Sequence, residues 1–380
     1  RSRQDRDRAK RLRAEAESQL DLLRADTAGN RTYQSDFYSY RYFASEGFLP
    51  GYNFPRLPLS AFIPGRRGTK GQDDFLSRPR FLAIEEFGPR GIVYHEGARY
   101  VISRVLLPPS RTLDGKLITS SAKQCSECGY LHLITEPPGP DLCERCDRLL
   151  DAPIDSLFRL ENVSTVRRER ITSDEEERVR VGYDVQTGIR FAEEAGATRA
   201  RIAEVRKDEE KLATLTYSGA ATLWRINLGW RRSKSTAGVG FWIDPERGTW
   251  QRREDESDDA EEKQERPRQR VVPYVEDRRN ALLFEPVTPQ DVQFMASLAA
   301  ALKRAIQVEF QLEESELAVE PLPRREKRNL LLFYEAAEGG AGVLRRLVAD
   351  TQAMSRVARR ALAICHFDPD DGRDLGKAPH

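Results

Sequence analysis

Leu330-Leu331-Leu332-Phe333-Tyr334-Glu335-Ala336-Ala337-Glu338-Gly339-Gly340-Ala341-Gly342-Val343-Leu344-Arg345-Arg346-Leu347 is the stretch that decides the fold class. Its first five residues form a continuous apolar run, as in a strand buried on both faces. The glycines at 339, 340 and 342 mark a turn. Beyond it Val343, Leu344, Leu347, Met354, Val357, Leu362 and Ile364 predict a helix. Strand, glycine turn and helix make the clearest supersecondary unit in the chain. Just upstream, Ala281-Leu282-Leu283-Phe284 reads as another strand. Met295, Leu298, Leu302 and Ile306 share one face of a helix.

Working outward, residues 155–230 alternate short β patterns with one stretch of mixed acidic and basic helical character. Val179, Val181 and Tyr183 alternate as one strand. Leu212, Leu215 and Tyr217 open a second, followed by Ala221–Asn227, and Gly238–Ile243 is a third. Residues 75–107 read as a β unit. Phe81-Leu82-Ala83-Ile84 leads to a Gly88-Pro89 turn, and Ile92–Tyr94 and Tyr100–Ile102 form a hairpin around His95-Glu96-Gly97. The predicted class is therefore α+β, with mixed sheets, packed helices and an inserted four-cysteine zinc ribbon.

The ribbon rests on Cys125-x-x-Cys128 and Cys143-x-x-Cys146. Each C-x-x-C turn points two thiolates at one place, and two such turns complete a tetrahedral four-sulfur site for Zn2+. Four sulfurs leave no open coordination position, so the site is structural rather than hydrolytic. Two C-x-x-C pairs also favour a reducing, cytoplasmic setting over a disulfide framework. The fifth cysteine, Cys365, stands beside His366 and reads either as an unremarkable lone thiol or as one end of a second, incomplete cluster. The glycine turn at 339–342 could bring backbone N–H groups to a phosphate. It serves close helix–strand packing equally well, and Glu335 and Glu338 oppose an anion there.

Lys and Arg total 62 against 61 Asp and Glu, so the chain as a whole is not a basic nucleic-acid binder. The charge is uneven: residues 1–110 hold 19 basic and 13 acidic side chains, and residues 254–265 hold eight acids. Residues 1–26 read as a solvated helix with i,i+4 pairs, or alternatively as a DNA-facing helix. Aromatic residues crowd 33–62, interleaved with Arg31, Arg41 and Arg56, and a basic loop carries Arg66, Arg67 and Lys70. These six residues are the candidate nucleic-acid contacts, by base stacking and phosphate pairing. The alternative is an irregular segment pinned to a core by its rings. The acidic run reads as a disordered surface loop, or as a DNA mimic over a basic channel. No apolar run is long enough to span a membrane. No catalytic box is present, so no catalytic residue is expected. The expected organisation is a basic linker helix (1–32), an aromatic segment and β unit (33–120), the zinc ribbon (121–150), a β-rich part (151–253), the acidic loop (254–270), an α/β part (271–365) and a tail (366–380).

Residues 33–105, through "QSDFYSYRYFASEGFLPGYNFPRLPL" and "RPRFLAIEEFGPRGIVYHEGARYVI", resemble the C-terminal region of very large bacterial DEAD/DEAH-box (superfamily 2) helicases. The later "ATLWRINLGW", "GVGFWI" and "LLLFYEAAEGGAGVLRRL" resemble the Mrr-associated zinc-binding domain that ends such helicases. That domain also occurs in DISARM and Druantia anti-phage proteins and in a DNA-repair helicase. The family usually has Asp where Glu335 stands. The resemblance implies a non-motor module of an ATP-dependent DNA helicase in anti-phage defence or DNA repair. Its partners would be DNA, single-stranded or forked, upstream motor domains, and other defence subunits. ATP and Mg2+ would belong to motor domains preceding Arg1. Cys365 would be the first ligand of a cluster completed beyond His380. A stand-alone zinc-ribbon scaffold or adaptor is the alternative.

Overall fold

The computed structural model describes residues 13, 17, 57–65, 73–107, 112–113, 115–168, 182–194, 197–231, 238–251, 267–337 and 340–376. Arg31, Arg41, Arg56, Arg66, Arg67 and Lys70, most of the aromatic segment, Val179, Val181 and the acidic run 254–265 lie outside these residues. Arg13 and Glu17 are helical and pair at 2.7 Å in full exposure, the i,i+4 arrangement read from the sequence.

Two main sheets form the molecule. The first has five strands in the order β2-β1-β10-β4-β3. These are β1 (Leu59–Ile63), β2 (Asp74–Arg78), β3 (Ile92–His95), β4 (Ala98–Val105) and β10 (Val163–Arg168). The β3–β4 hairpin turns on Glu96 and Gly97, as its sequence pattern predicts. Residues 80–86 depart from that reading: they form helix α1 (Arg80–Glu86), not a strand. A four-residue apolar run fits either element. Pro79 stands at the helix start, and Ala83, Ile84 and Phe87 bury one face while Leu82 stays exposed.

Small hairpins β5 (Thr112–Leu113) with β6 (Lys116–Leu117), and β12 (Glu193–Glu194) with β13 (Ala197–Thr198), stand apart. The second sheet has ten strands. Its spine is two long antiparallel strands, β15 (Glu210–Trp230) and β17 (Gln269–Pro286). The strand expected over 212–227 lies within β15, with an irregularity between Ser218 and Ala221 where Gly219 and Ala220 slip the register. On this spine lie β7 (Ser120–Gln124), β8 (Leu131–Ile134), β9 (Ile154–Arg159), β11 (Tyr183–Arg190), β14 (Arg201–Lys207), β16 (Phe241–Ile243), β18 (Leu317–Arg324) and β19 (Lys327–Glu335). Among the described residues of 155–231 there is no helix, and the charged run at 169–181 lies outside the described residues.

Three helices cover one face of β17 and β19: α2 (Val292–Phe310), α3 (Val343–Ala349) and α4 (Ala353–Ile364). Asp291 caps α2 by accepting from the Phe294 N–H at 2.8 Å. The single helix expected after the glycine turn is two. Asp350 adopts an extended backbone and its carboxylate takes the Gln352 N–H at 2.9 Å, an alternative to continuing the helix. Leu331 and Phe333 face the helices, with Met295, Leu302, Ile306, Leu344 and Val357. Leu330, Leu332 and Tyr334 face the opposite side, against Cys125, Cys128 and Cys143. The five-residue apolar run is therefore buried twice, once by helices and once by the cysteine cluster. No described helix is long and apolar enough to cross a membrane.

Candidate metal centre

Two similar knuckles build the centre. In the first, Gly129 N–H donates to the Cys125 carbonyl (2.9 Å) and Cys125 N–H to the Tyr130 carbonyl (3.0 Å). In the second, Asp147 N–H donates to the Cys143 carbonyl (2.9 Å) and Cys143 N–H to the Arg148 carbonyl (2.8 Å). The residue after each second cysteine is left-handed: Gly129 at φ 74° and Asp147 at φ 55°. Gly129 is also required by packing, since a Cβ there would meet the Leu322 side chain.

The knuckles bring four sulfurs together. Cys125 and Cys146 Sγ are 3.5 Å apart, and Cys128 Sγ is 3.6 Å from both Cys143 and Cys146. All four lie within 4.8 Å of one another. Zn–S bonds of about 2.3 Å in a tetrahedron require sulfurs about 3.8 Å apart. The cradle thus fits the ion with movements of a few tenths of an ångström. Cys125, Cys128 and Cys143 are buried.

The electrostatics favour one thiolate, at Cys143, and hold the thiols of Cys128 and Cys146 protonated. The Cys128 thiol donates to Cys143, and His132 and the N–H groups of Arg145 and Cys146 add to this, bringing Cys143 down to about 3. The same bond raises Cys128. Burial raises Cys146 to about 11, against the Arg148 N–H, which favours its thiolate. The Tyr130 N–H does the same for Cys128. Metal binding would displace the thiol protons and leave these donors serving sulfur charge.

Neighbouring charges tie the knuckles to the sheet. Glu127 accepts from Lys327 (2.6 Å), and its backbone carbonyl accepts from Asn329 (2.8 Å). Arg145 pairs with Glu285 at 2.5 Å, and Glu144 with Arg190 at 2.9 Å. Lys123 donates to the Pro140 carbonyl at 2.9 Å. Sequence reading found the four ligands but not this frame. Glu127, Glu144 and Arg145 occupy the x positions of the C-x-x-C pairs, which was the available signal, but their partners are 46 to 202 residues away along the chain.

Cys365 is exposed at the end of α4, and the four-cysteine group is the cluster with metal-binding geometry among the described residues. At the glycine turn the anion site is filled from within. The Glu335 carboxylate accepts from the N–H groups of Gly342 and Leu344, both at 3.0 Å.

Residues 298–370 match the family MZB, the MrfA Zn-binding domain. That segment comprises most of α2 together with β18, β19, α3 and α4. Cys125, Cys128, Cys143 and Cys146 lie outside it in sequence but pack on its strand β19. A comparison with curated proteins finds no match. Among solved structures, the DUF1998 helicase MrfA bound to DNA aligns over 84% of this chain and 32% of its own, at 9% identity and a TM-score of 0.35. A second structure of the DUF1998 helicase MrfA aligns over 95% of this chain and 38% of its own, at 10% identity and a TM-score of 0.34. The chain thus spans about a third of the length of that helicase.

Proposed function

We propose that this chain is a zinc-stabilised, non-motor C-terminal module of an ATP-dependent DNA helicase. Cys125, Cys128, Cys143 and Cys146 hold one structural Zn2+, which supplies a fixed fourfold junction between the two knuckles. The module packs on motor domains and supports DNA binding, single-stranded or forked, through Arg31, Arg41, Arg56, Arg66, Arg67 and Lys70. ATP and Mg2+ belong to the motor, the setting is cytoplasmic, and the parent protein serves anti-phage defence or DNA repair, with other defence subunits as further partners. The match of residues 298–370 to the MrfA Zn-binding domain carries this reading. The cysteine cradle buried against the same strand supports it.

The adaptor reading keeps one supporting observation. Leu142 and Leu149 pair across the second knuckle and are 54% and 73% exposed, an apolar knob suited to a protein partner. DNA titrations separate the two. A helicase module binds oligonucleotides with an affinity that falls steeply as salt rises, because phosphate contacts release counterions. Absence of binding, or salt-independent binding, would leave the adaptor.

A further inference from the structure

Strand β11 has one edge that the described residues leave partly open. Its even-numbered residues face β15, as the Gly182 carbonyl does in accepting the Arg231 N–H at 2.8 Å. The odd-numbered residues point the other way. Toward Arg190 that outer edge is used. The Ile189 N–H donates to the Gly129 carbonyl (3.3 Å), and the Thr187 carbonyl accepts from the Gln124 side-chain amide (2.7 Å). Toward Tyr183 the Val185 N–H, the Val185 carbonyl and the Thr187 N–H point outward, and no described strand pairs with them. They open onto a cavity of about 470 Å³ between β11, the end of α1 and the tip of the β18–β19 hairpin. The β18 wall cannot close the gap by pairing, since Pro321 and Pro323 carry no N–H. Gln186 lines the same cavity at 8% exposure, and its side-chain amide has no hydrogen bond among the described residues.

We propose that this groove takes an extended peptide of a partner protein, added to β11 as a further strand and bearing a carboxylate beside Arg324 and Arg325. The outward row runs donor, acceptor, donor. A peptide backbone answers it by exchanging two hydrogen bonds with Val185 and offering a carbonyl to Thr187. A phosphodiester backbone brings acceptors and leaves the Val185 carbonyl without a donor. The added strand continues, on the same edge, the pairing that Gly129 and Tyr130 make beside Ile189. Charge sets the peptide's sequence. Glu85 and Glu320 already pair with Arg225. Arg324 and Arg325, at the hairpin tip, line the cavity with no ion pair among the described residues. Arg231 adds a third cation, against Asp184 and Glu326 as the acids without such a pair. A sheet edge left to water alone is usually blunted. This one is recessed in a cavity that admits one strand and keeps out a second sheet.

The test offers the whole chain a displayed library of random peptides about ten residues long, enough at about 3.3 Å per residue to run past the edge. Selected peptides rich in Asp and Glu are expected. Methylating alternate backbone nitrogens of a selected peptide should abolish binding in one phase and spare it in the other, because one edge of an added strand pairs. Bound peptide should slow hydrogen exchange at the Val185 and Thr187 N–H groups. Val185→Pro removes the outward donor, leaves the β15 ladder intact and should weaken binding at least about tenfold. Arg324→Glu with Arg325→Glu should weaken it as well. The proposal is overturned by a library that yields no binder, by binders rich in Lys and Arg, or by binding indifferent to the phase of methylation. A folded V185P protein that binds like the wild type also overturns it. Protection of the two N–H groups by oligothymidylate and by no peptide would give the groove to nucleic acid instead. If V185P does not fold, the methylation series decides.

Discussion

The Glu335 carboxylate accepts the backbone N–H of Leu344 at 3.0 Å, joining the end of a buried strand to the first turn of the helix that follows. The same carboxylate takes the Gly342 N–H at 3.0 Å and the Asn280 side-chain amide at 2.7 Å. Glu335 is 1% exposed. Gly342 and Leu344 therefore direct their N–H groups at an internal anion. Gly340 is left-handed at φ 69°, and a Cβ there would overlap both Glu335 and Asn280. The glycine-rich turn is a packing device.

Glu335→Ala should cost roughly 3 kcal/mol, because it strands buried donors on Gly342, Leu344 and Asn280. Glu335→Gln, which keeps an acceptor, should cost less. Urea unfolding midpoints check both. A neutral alanine variant would mean that the carboxylate is replaceable by water.

The apolar strand and the apolar knob should respond differently. Leu332 is fully buried between the sheet and the cysteine cluster, so Leu332→Ala should lose roughly 2–5 kcal/mol. Leu149→Ser, at an exposed site, should change stability by no more than about 0.5 kcal/mol. Thermal melts of the two variants make the comparison.

Acid should weaken the fold. The Lys327 ammonium holds the Glu127 carboxyl below its ordinary 4.5, Lys211 and Arg206 do the same for Glu204, and Arg356 lowers Asp350. A carboxyl with a lowered folded-state pKa stabilises above its unfolded value and loses that contribution as pH falls through the folded one. Unfolding midpoints should therefore fall as pH drops below about 4.5. These groups are exposed, so each contribution is small. Glu127→Gln should slightly flatten the acid limb. A midpoint that rises on acidification would contradict this.

The purified chain should not hydrolyse ATP, with or without DNA, since no phosphate-binding motif is present in its sequence. A coupled ATPase assay checks it. DNA-stimulated turnover by this chain would place a motor activity where none is expected.

How much was legible depends on whether the signal was local. The four cysteines declare themselves by spacing, and 330–334 declares a doubly buried strand by its unbroken apolar run. What covers each face was not legible. Leu331 meets α2 and α3 while Leu332 meets cysteines some two hundred residues earlier, and only the register of β17 and β19 decides that. Phe81–Ile84 misled because four apolar residues carry no period, and the turn after Pro79 makes them a helix. The helix break at Asp350 hinges on one side-chain hydrogen bond.

The central claim is that the four cysteines hold one metal ion that locks the knuckles to the sheet. Metal analysis of the purified chain, beside a Cys125→Ser/Cys143→Ser variant, tests it most directly. The account predicts one zinc per wild-type chain, and in the variant loss of that zinc with a lower melting temperature. A wild-type chain without zinc, or a variant that keeps its full complement, would contradict it.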